Sequence, residues 1–207
     1  MKYPEKIKTV QKQSDFTLKE KKSVFIAIVF PLSNQNEAGK HLKTLKKKYY
    51  DASHYCYAFK LLDRTQKSSD AGEPHGTAGI RILNAIDHFE LTNSMVVVIR
   101  YFGGVKLGIS LLGKSYYSAA YESLILAKKV TKELFQKVKI ITEFEHLSIV
   151  HNLLSDSESH IEKTEHNTAT EIFCLIKPSK INEIRTKIRN KSLGRVNYNP
   201  IDEYLYL

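Results

Sequence analysis

A chain of 207 residues that is 42% hydrophobic, with twelve Tyr and nine Phe, can bury one large core or two small ones, which excludes a disordered tract. Thirty-two Lys and Arg against twenty-two Asp and Glu leave a formal charge of +10, so polyanions are favoured partners and association should weaken with salt. Two cysteines, Cys56 and Cys174, in apolar strand-like surroundings exclude a disulfide framework. The first eight residues lack the apolar segment of a signal peptide, and the run Val24 to Phe30 stops at Pro31, far short of a membrane span; a cytoplasmic protein without membrane contact is expected.

In chain order, Ile7 and Val10 mark a short strand, and Val24 to Phe30 is β-branched and aromatic up to Pro31, so two or three antiparallel strands should begin the fold. Ala38, Leu42, Leu45 and Tyr49 recur at i, i+4, i+7 and i+11, which predicts a helix with Lys40, Lys43 and Lys46 to Lys48 on its outer surface. Tyr55 to Leu62 alternates as a strand, Asp63 to Glu73 reads as a polar loop, and Gly76 to Phe89 reads as a helix that turns Ile82, Leu83 and Ile86 inward. Met95 to Tyr101 is a buried strand, and Ser110 to Lys129 returns to helical spacing through Leu112, Tyr116, Ala119 and Ala120.

Apolar density drops and charge rises over Lys128 to Lys137, which places a domain boundary near residue 135, with units 1–135 and 136–207. Beyond it Val138, Ile140, Thr142 and Phe144 alternate, Leu147 to Leu154 is helical, His160 to His166 and Thr170 to Lys177 are strands, Ile181 to Arg189 is helical, and Arg195 to Leu207 is a last strand. That order, βαββαβ, is the ferredoxin-like split pattern. The fold class read from the sequence is therefore α+β in two domains.

Two glycine-rich turns stand out. S-S-D-A-G-E-P-H-G-T-A-G from Ser68 feeds one helix start, and R-Y-F-G-G-V-K-L-G from Arg100 feeds another, so each offers free N–H groups and a positive dipole end. With K-S-V-F at Lys22 to Phe25 and A-S-H-Y-C-Y-A-F at Ala52 to Phe59, these residues resemble the signature of the YigZ/Impact family, cytoplasmic proteins linked to translation. The resemblance implies an N-terminal domain with the left-handed βαβ fold of a ribosomal small-subunit protein and of the fourth domain of elongation factor G. It also implies a C-terminal domain like the last domain of that factor. Two departures accompany it: Ala71 stands where relatives usually carry a second acid, and Ser110, Leu111 and Ser115 stand where they usually carry a glycine pair and an alanine.

Gly108 to Ser115 formally matches the phosphate-loop pattern G-x-x-x-x-G-K-S/T, but no strand directly precedes Gly108, and Ile109, Leu112 and Tyr116 keep helical spacing through the supposed loop. The segment is predicted to be helix. His54 and Cys56, at i and i+2 on one strand, share a face and with Glu73 or His75 offer three metal-ligand types, yet no second Cys or His pair exists at ligand spacing, so a packed Cys and a hydrogen-bonded His are expected, with no metal and no cofactor. Asp70 and Glu73 can form an acid and base pair, or Glu73 can cap the helix beginning near Gly76 and Thr77; the capping role is the expected one.

Arg100, Tyr101 and Phe102, followed by Gly103, Gly104 and Lys106, suit a phosphate with a ring stacked on a base, although one of the two rings is expected in the core, and the two turns are expected to converge on one cleft rimmed by Asp70, Glu73, Arg100 and Lys106. Lys177, Lys180, Arg185, Lys187, Arg189, Lys191 and Arg195 surround the single acid Glu183 and form a second candidate polyanion surface. The resulting expectation is a non-enzymatic, translation-associated protein that binds RNA, the ribosome, a translation factor or another regulatory protein. Its candidate binding residues are Asp70, Glu73, His75, Arg100, Tyr101, Gly103, Gly104, Lys106, Arg185, Lys187 and Arg189, and no catalytic residue is assigned. A hydrolase working at the Asp70/Glu73 and Arg100 to Gly104 loops, on a small phosphorylated or peptide substrate, and a protein-interaction adaptor are the competing classes.

Overall fold

The computed structural model describes residues 3–207; the first two residues of the leading segment read against a signal peptide lie outside it. The elements follow in the order β1 (Lys6–Val10), β2 (Ser14–Glu20), β3 (Ser23–Pro31), α1 (Gln35–Lys48), β4 (His54–Lys60), β5 (Gln66–Ser69), α2 (Gly79–His88), β6 (Ser94–Tyr101), α3 (Ile109–Leu126), β7 (Lys129–Thr142), α4 (Leu147–Ser155), β8 (His160–His166), β9 (Thr170–Ile176), α5 (Ile181–Lys191) and β10 (Asn197–Tyr206). Sheets and helices are both abundant, and the fold is α+β. Among the described residues no helix is long and apolar enough to cross a membrane.

Two compact units emerge from the packing, one spanning Ile7–Thr131, the other Lys132–Leu207 with the described residues up to Lys6. In the first, the sheet order is β2-β3-β6-β4-β5. Strand β6 lies at the centre, antiparallel to both β3 and β4, and every residue from Ser94 to Arg100 is buried. A strand covered on both faces reads as a continuous apolar run rather than an alternating one, which is why Met95–Ile99 is MVVVI. One face of this sheet carries Phe25, Ala27, Val29, Cys56, Ala58, Val96 and Val98 against Ile82, Ile86, Leu112, Tyr116 and Ala120 of α2 and α3. The other carries Ile28, Phe30, Phe59, Met95, Val97 and Ile99 against Ala38 and Leu45 of α1. Asn34 caps α1 by accepting from the Glu37 N–H at 3.1 Å, while the Glu37 carboxylate accepts from the Ser33 N–H at 2.8 Å.

In the second unit β7, β9 and β8 pair antiparallel in that order and β10 runs antiparallel along β7. Helices α4 and α5 supply Val150, Leu154, Ile181, Ile184 and Ile188 to its core.

Several sequence expectations change. Strand β1 does not join β2 and β3. Residues 63–73 are not all loop, because Gln66–Ser69 pairs with β4. Helix α2 begins at Gly79 rather than Gly76, and α3 ends at Leu126, so Lys129 opens a strand. Phe144 leaves the alternating pattern for a 3-10 turn and is 83% exposed.

Gly103 is fixed by contact, since a Cβ there would stand 1.8 Å from the Lys22 carbonyl oxygen. Main chain cannot move aside cheaply at that distance. Gly103→Ala should therefore lower unfolding free energy by at least about 2 kcal/mol, measured by urea titration; a loss below about 0.5 kcal/mol would show that the turn adapts.

Candidate functional site

The register of the three central strands lines up Phe25 of β3, Arg100 of β6 and His54 of β4 in one row, on the face that α2 and α3 cover. Arg100 is 5% exposed. Its Nη1 donates to Glu73 Oε1 at 2.6 Å and its Nη2 donates to the Ser23 hydroxyl at 3.2 Å. The guanidinium lies between the rings of Phe25 and Phe102, 5.3 and 5.4 Å from their centroids, while its Nε, buried, has no protein partner.

Glu73 Oε1 also accepts from the Tyr116 hydroxyl of α3 at 2.7 Å, and His54 Nε2 stands 3.9 Å away. Burial raises the Tyr116 phenol far above its ordinary value, reinforced by Cys56 and Glu73, so Tyr116 stays protonated and donates. Cys56 is fully buried, its thiol donates to the Asp70 carbonyl at 2.9 Å, and burial pushes it up to about 12, which removes the thiolate a nucleophile needs. His54 Nδ1 lies 3.0 Å from the Ala71 carbonyl.

Asp70, not Glu73, caps the following helix. Its Oδ1 accepts from the N–H groups of Ala78 and Gly79 at 2.9 and 2.8 Å, and its Oδ2 accepts from Gly76 at 2.9 Å. Helix α2 has no side-chain cap from its own N-cap residue, Ala78, so the donors that remain at a helix start are taken by a carboxylate eight residues upstream. Burial acts to raise the Asp70 pKa, but the three backbone donors outweigh it and hold the carboxyl below its ordinary 3.8. Between Asp70 and Glu73 the chain turns through left-handed backbone at Ala71 (φ 45°) and Gly72 (φ 89°). An Asp is better tolerated than Ala in that region of backbone.

The two glycine turns thus meet on one face, but the space between them is filled by Arg100 and Glu73 instead of being an open cleft with these residues on its rim. Arg100 is engaged by Glu73 and covered, so it presents no free guanidinium to a phosphate. Tyr101 points to the opposite sheet face and donates to Asp51 at 2.9 Å. Phe102, Gly104 and Lys106 are exposed, as is His75, whose Nδ1 is 3.9 Å from Asp70. Among the described residues no three His, Cys, Asp or Glu side chains gather around a common point. Residues 109–115 are helical, with the Ser115 hydroxyl donating to the Leu111 carbonyl at 2.8 Å.

In the second unit the basic cluster meets more acid than Glu183 alone. Lys177 pairs with Glu133 and Glu158 at 2.6 and 2.8 Å, Arg195 with Glu145 at 3.2 Å, and Lys187 with Glu183 at 2.7 Å. Arg185 and Arg189 remain exposed on α5.

Glu73→Leu strands the buried Arg100 charge and should cost about 3–5 kcal/mol in urea unfolding, with Arg100→Leu added recovering part of that loss; an additive double variant would dissolve the coupling. Because the folded pKa of Asp70 is depressed, its contribution is present above about pH 4 and is lost as pH falls through the folded value. Wild type should accordingly lose stability more steeply from about pH 5 to pH 2 than Asp70→Asn, which starts lower at neutral pH by about 1 kcal/mol. Parallel acid curves for the two proteins would contradict the capping role.

Residues 21–124 match the model of the Impact N-terminal domain. The chain is similar to the IMPACT family member YvyE of Bacillus subtilis (28% identical over 176 residues, 84% of this chain and 81% of that protein). It is also similar to the IMPACT family member YigZ of Escherichia coli (26% over 187 residues, 88% and 92%). An IMPACT family member encoded in the pol 5' region of Thermus thermophilus is 34% identical over 144 residues, 70% of this chain and 77% of that protein. A crystal structure of a hypothetical protein aligns over 97% of this chain and 99% of its own with a TM-score of 0.71 at 23% identity, a likeness of fold. With the glycine turns, the strand row and the family match over the same residues, this chain belongs to the Impact family.

Proposed function

We propose that this chain acts in translation or its regulation by binding RNA through charge, on the ribosome or beside a translation factor, without turning over a substrate. The observation that carries this reading is the outer face of α1. Lys40, Lys43, Lys46, Lys47 and Lys48 are exposed there, and among the described residues none has an acid within ion-pair distance. Lys46 and Lys48 rest on the rings of Tyr55 and Tyr49, which holds their charge at the surface. The single acid of the helix, Glu37, is spent at its N-terminus. Such a face offers several phosphate contacts and few groups that read bases.

The finer architecture supports the same direction. The βαββαβ order of the second unit, with β10-β7-β9-β8 all antiparallel, favours the ferredoxin-like pattern expected for the last domain of elongation factor G. The β3-α1-β4 crossover, whose strands are separated by β6, favours the ribosomal-protein-like βαβ reading of the first. The hydrolase reading needs a free acid, base or nucleophile, and the groups named for it are engaged: Asp70 by three N–H donors, Glu73 by Arg100 and Tyr116, and Arg100 by Glu73.

Titration of labelled single-stranded RNA over a salt series tests the reading. Each neutralised phosphate on a single strand contributes about 0.7 to the slope of log affinity against log salt, so Lys43→Gln, Lys46→Gln and Lys47→Gln together should reduce it by about 2. Absence of binding even at about 50 mM salt would pass the protein to the adaptor class.

A further inference from the structure

The first unit has a second basic feature, on the sheet face opposite α1. Helices α2 and α3 pack side by side there, and between them lies a groove of about 560 Å³ lined by Arg81, Asn84, Ser110, Lys114, Tyr117 and Ser118. Helical spacing explains the set: Arg81 and Asn84 are three apart on α2, while Ser110, Lys114 and Ser118 step by four along α3. Every one of these side chains offers a hydrogen-bond donor, none is an acid, and two are cations. Among the described residues no carboxylate lies within ion-pair distance of Arg81 or Lys114. The groove therefore favours an anion and disfavours a metal or an amine.

Gly113 ties the two cations together. It sits buried in the interior of α3, where glycine costs about 1 kcal/mol relative to alanine. The room left by its missing side chain is used by Arg81, whose Nε comes within 3.3 Å of where a Cβ would be. Arg81, though exposed, thereby lies against α3 at Gly113, on the groove it lines with Lys114. A planar guanidinium fork beside a lysine, with hydroxyls on the same wall, matches the several acceptor oxygens of a phosphate better than the two of a carboxylate. Lys114, which the phosphate-loop match would have placed in a glycine cradle, belongs to this groove through the helix surface.

We propose that the α2/α3 groove is a phosphate site, filled by a phosphate group of an RNA backbone or of a free phosphomonoester. The RNA source rests on the function proposed above; the groove chemistry does not. The test uses adenosine monophosphate and a single-stranded RNA decamer against the full chain and its Arg81→Gln/Lys114→Gln variant, both exposed positions whose substitution leaves the core intact. Adenosine monophosphate should shift the backbone NMR signals of Ser110, Tyr117 and Ser118 in the native chain and leave them unmoved in the variant. RNA affinity should fall about tenfold in the variant, with a salt slope lower by about 1.4 for two lost single-strand contacts. Monophosphate binding without RNA binding supports the groove, assigns it to a free phosphomonoester and sinks the RNA reading. RNA binding unchanged by the variant, with no monophosphate shifts, overturns the groove while leaving RNA binding through α1 standing. Silence of both ligands overturns both.

Discussion

The first unit is organised around a buried charge at the end of its central strand. Arg100 is out of water, within reach of the Phe25 and Phe102 rings, and a guanidinium in that position is tolerable only if its charge is met. Glu73 meets it, and to reach it the chain must return from β5 through a tight turn over the sheet. Tyr116 must then bring α3 close enough for its hydroxyl to share the same carboxylate oxygen. Strand, turn and helix are thus locked to one another by a single acid. Removing either partner would leave the other's charge buried and unmet, which ties the positions of strand and turn together.

Asp70 does related work three residues earlier. Its three accepted N–H bonds fix the start of α2, and its own carbonyl receives the Cys56 thiol from β4. The carboxylates of this loop are each held by donors of the fold itself, and together they join β4, β6, α2 and α3.

The parts legible in the sequence are those whose signal is local. Ala38, Leu42, Leu45 and Tyr49 form a helical stripe, and the MVVVI run fits a strand buried on both sides. Strand β5 left no such signal, because Gln66, Lys67 and Ser68 are exposed on an edge strand bonded to β4 alone. The charged opening of β7 reads as a linker until its alternation is seen, with Leu134, Val138 and Ile140 buried among Lys and Glu. Partners of ionised groups were least legible. Glu73 finds Arg100 and Tyr116 at separations of 27 and 43 residues, and Lys177 finds Glu133 across the second unit, distances over which no periodicity speaks. Arg81 was missed for a related reason, since its position beside Lys114 depends on what Gly113 lacks.

The position of β6 in the chain has a kinetic side. The strand that fills the middle of the sheet is the last of its five strands in sequence, pairing Val24 with Tyr101 on one edge and His54 with Arg100 on the other. Until residue 101 has been synthesised, the hairpins β2-β3 and β4-β5 each present an unpaired apolar edge, Phe25 to Phe30 on one and Cys56 to Phe59 on the other. Closure joins segments far apart in the chain and so is slower than forming either hairpin. During that interval the nascent chain exposes two strand edges able to pair with each other or with another molecule, and any delay in synthesis before Met95 to Tyr101 has left the ribosome lengthens the exposure.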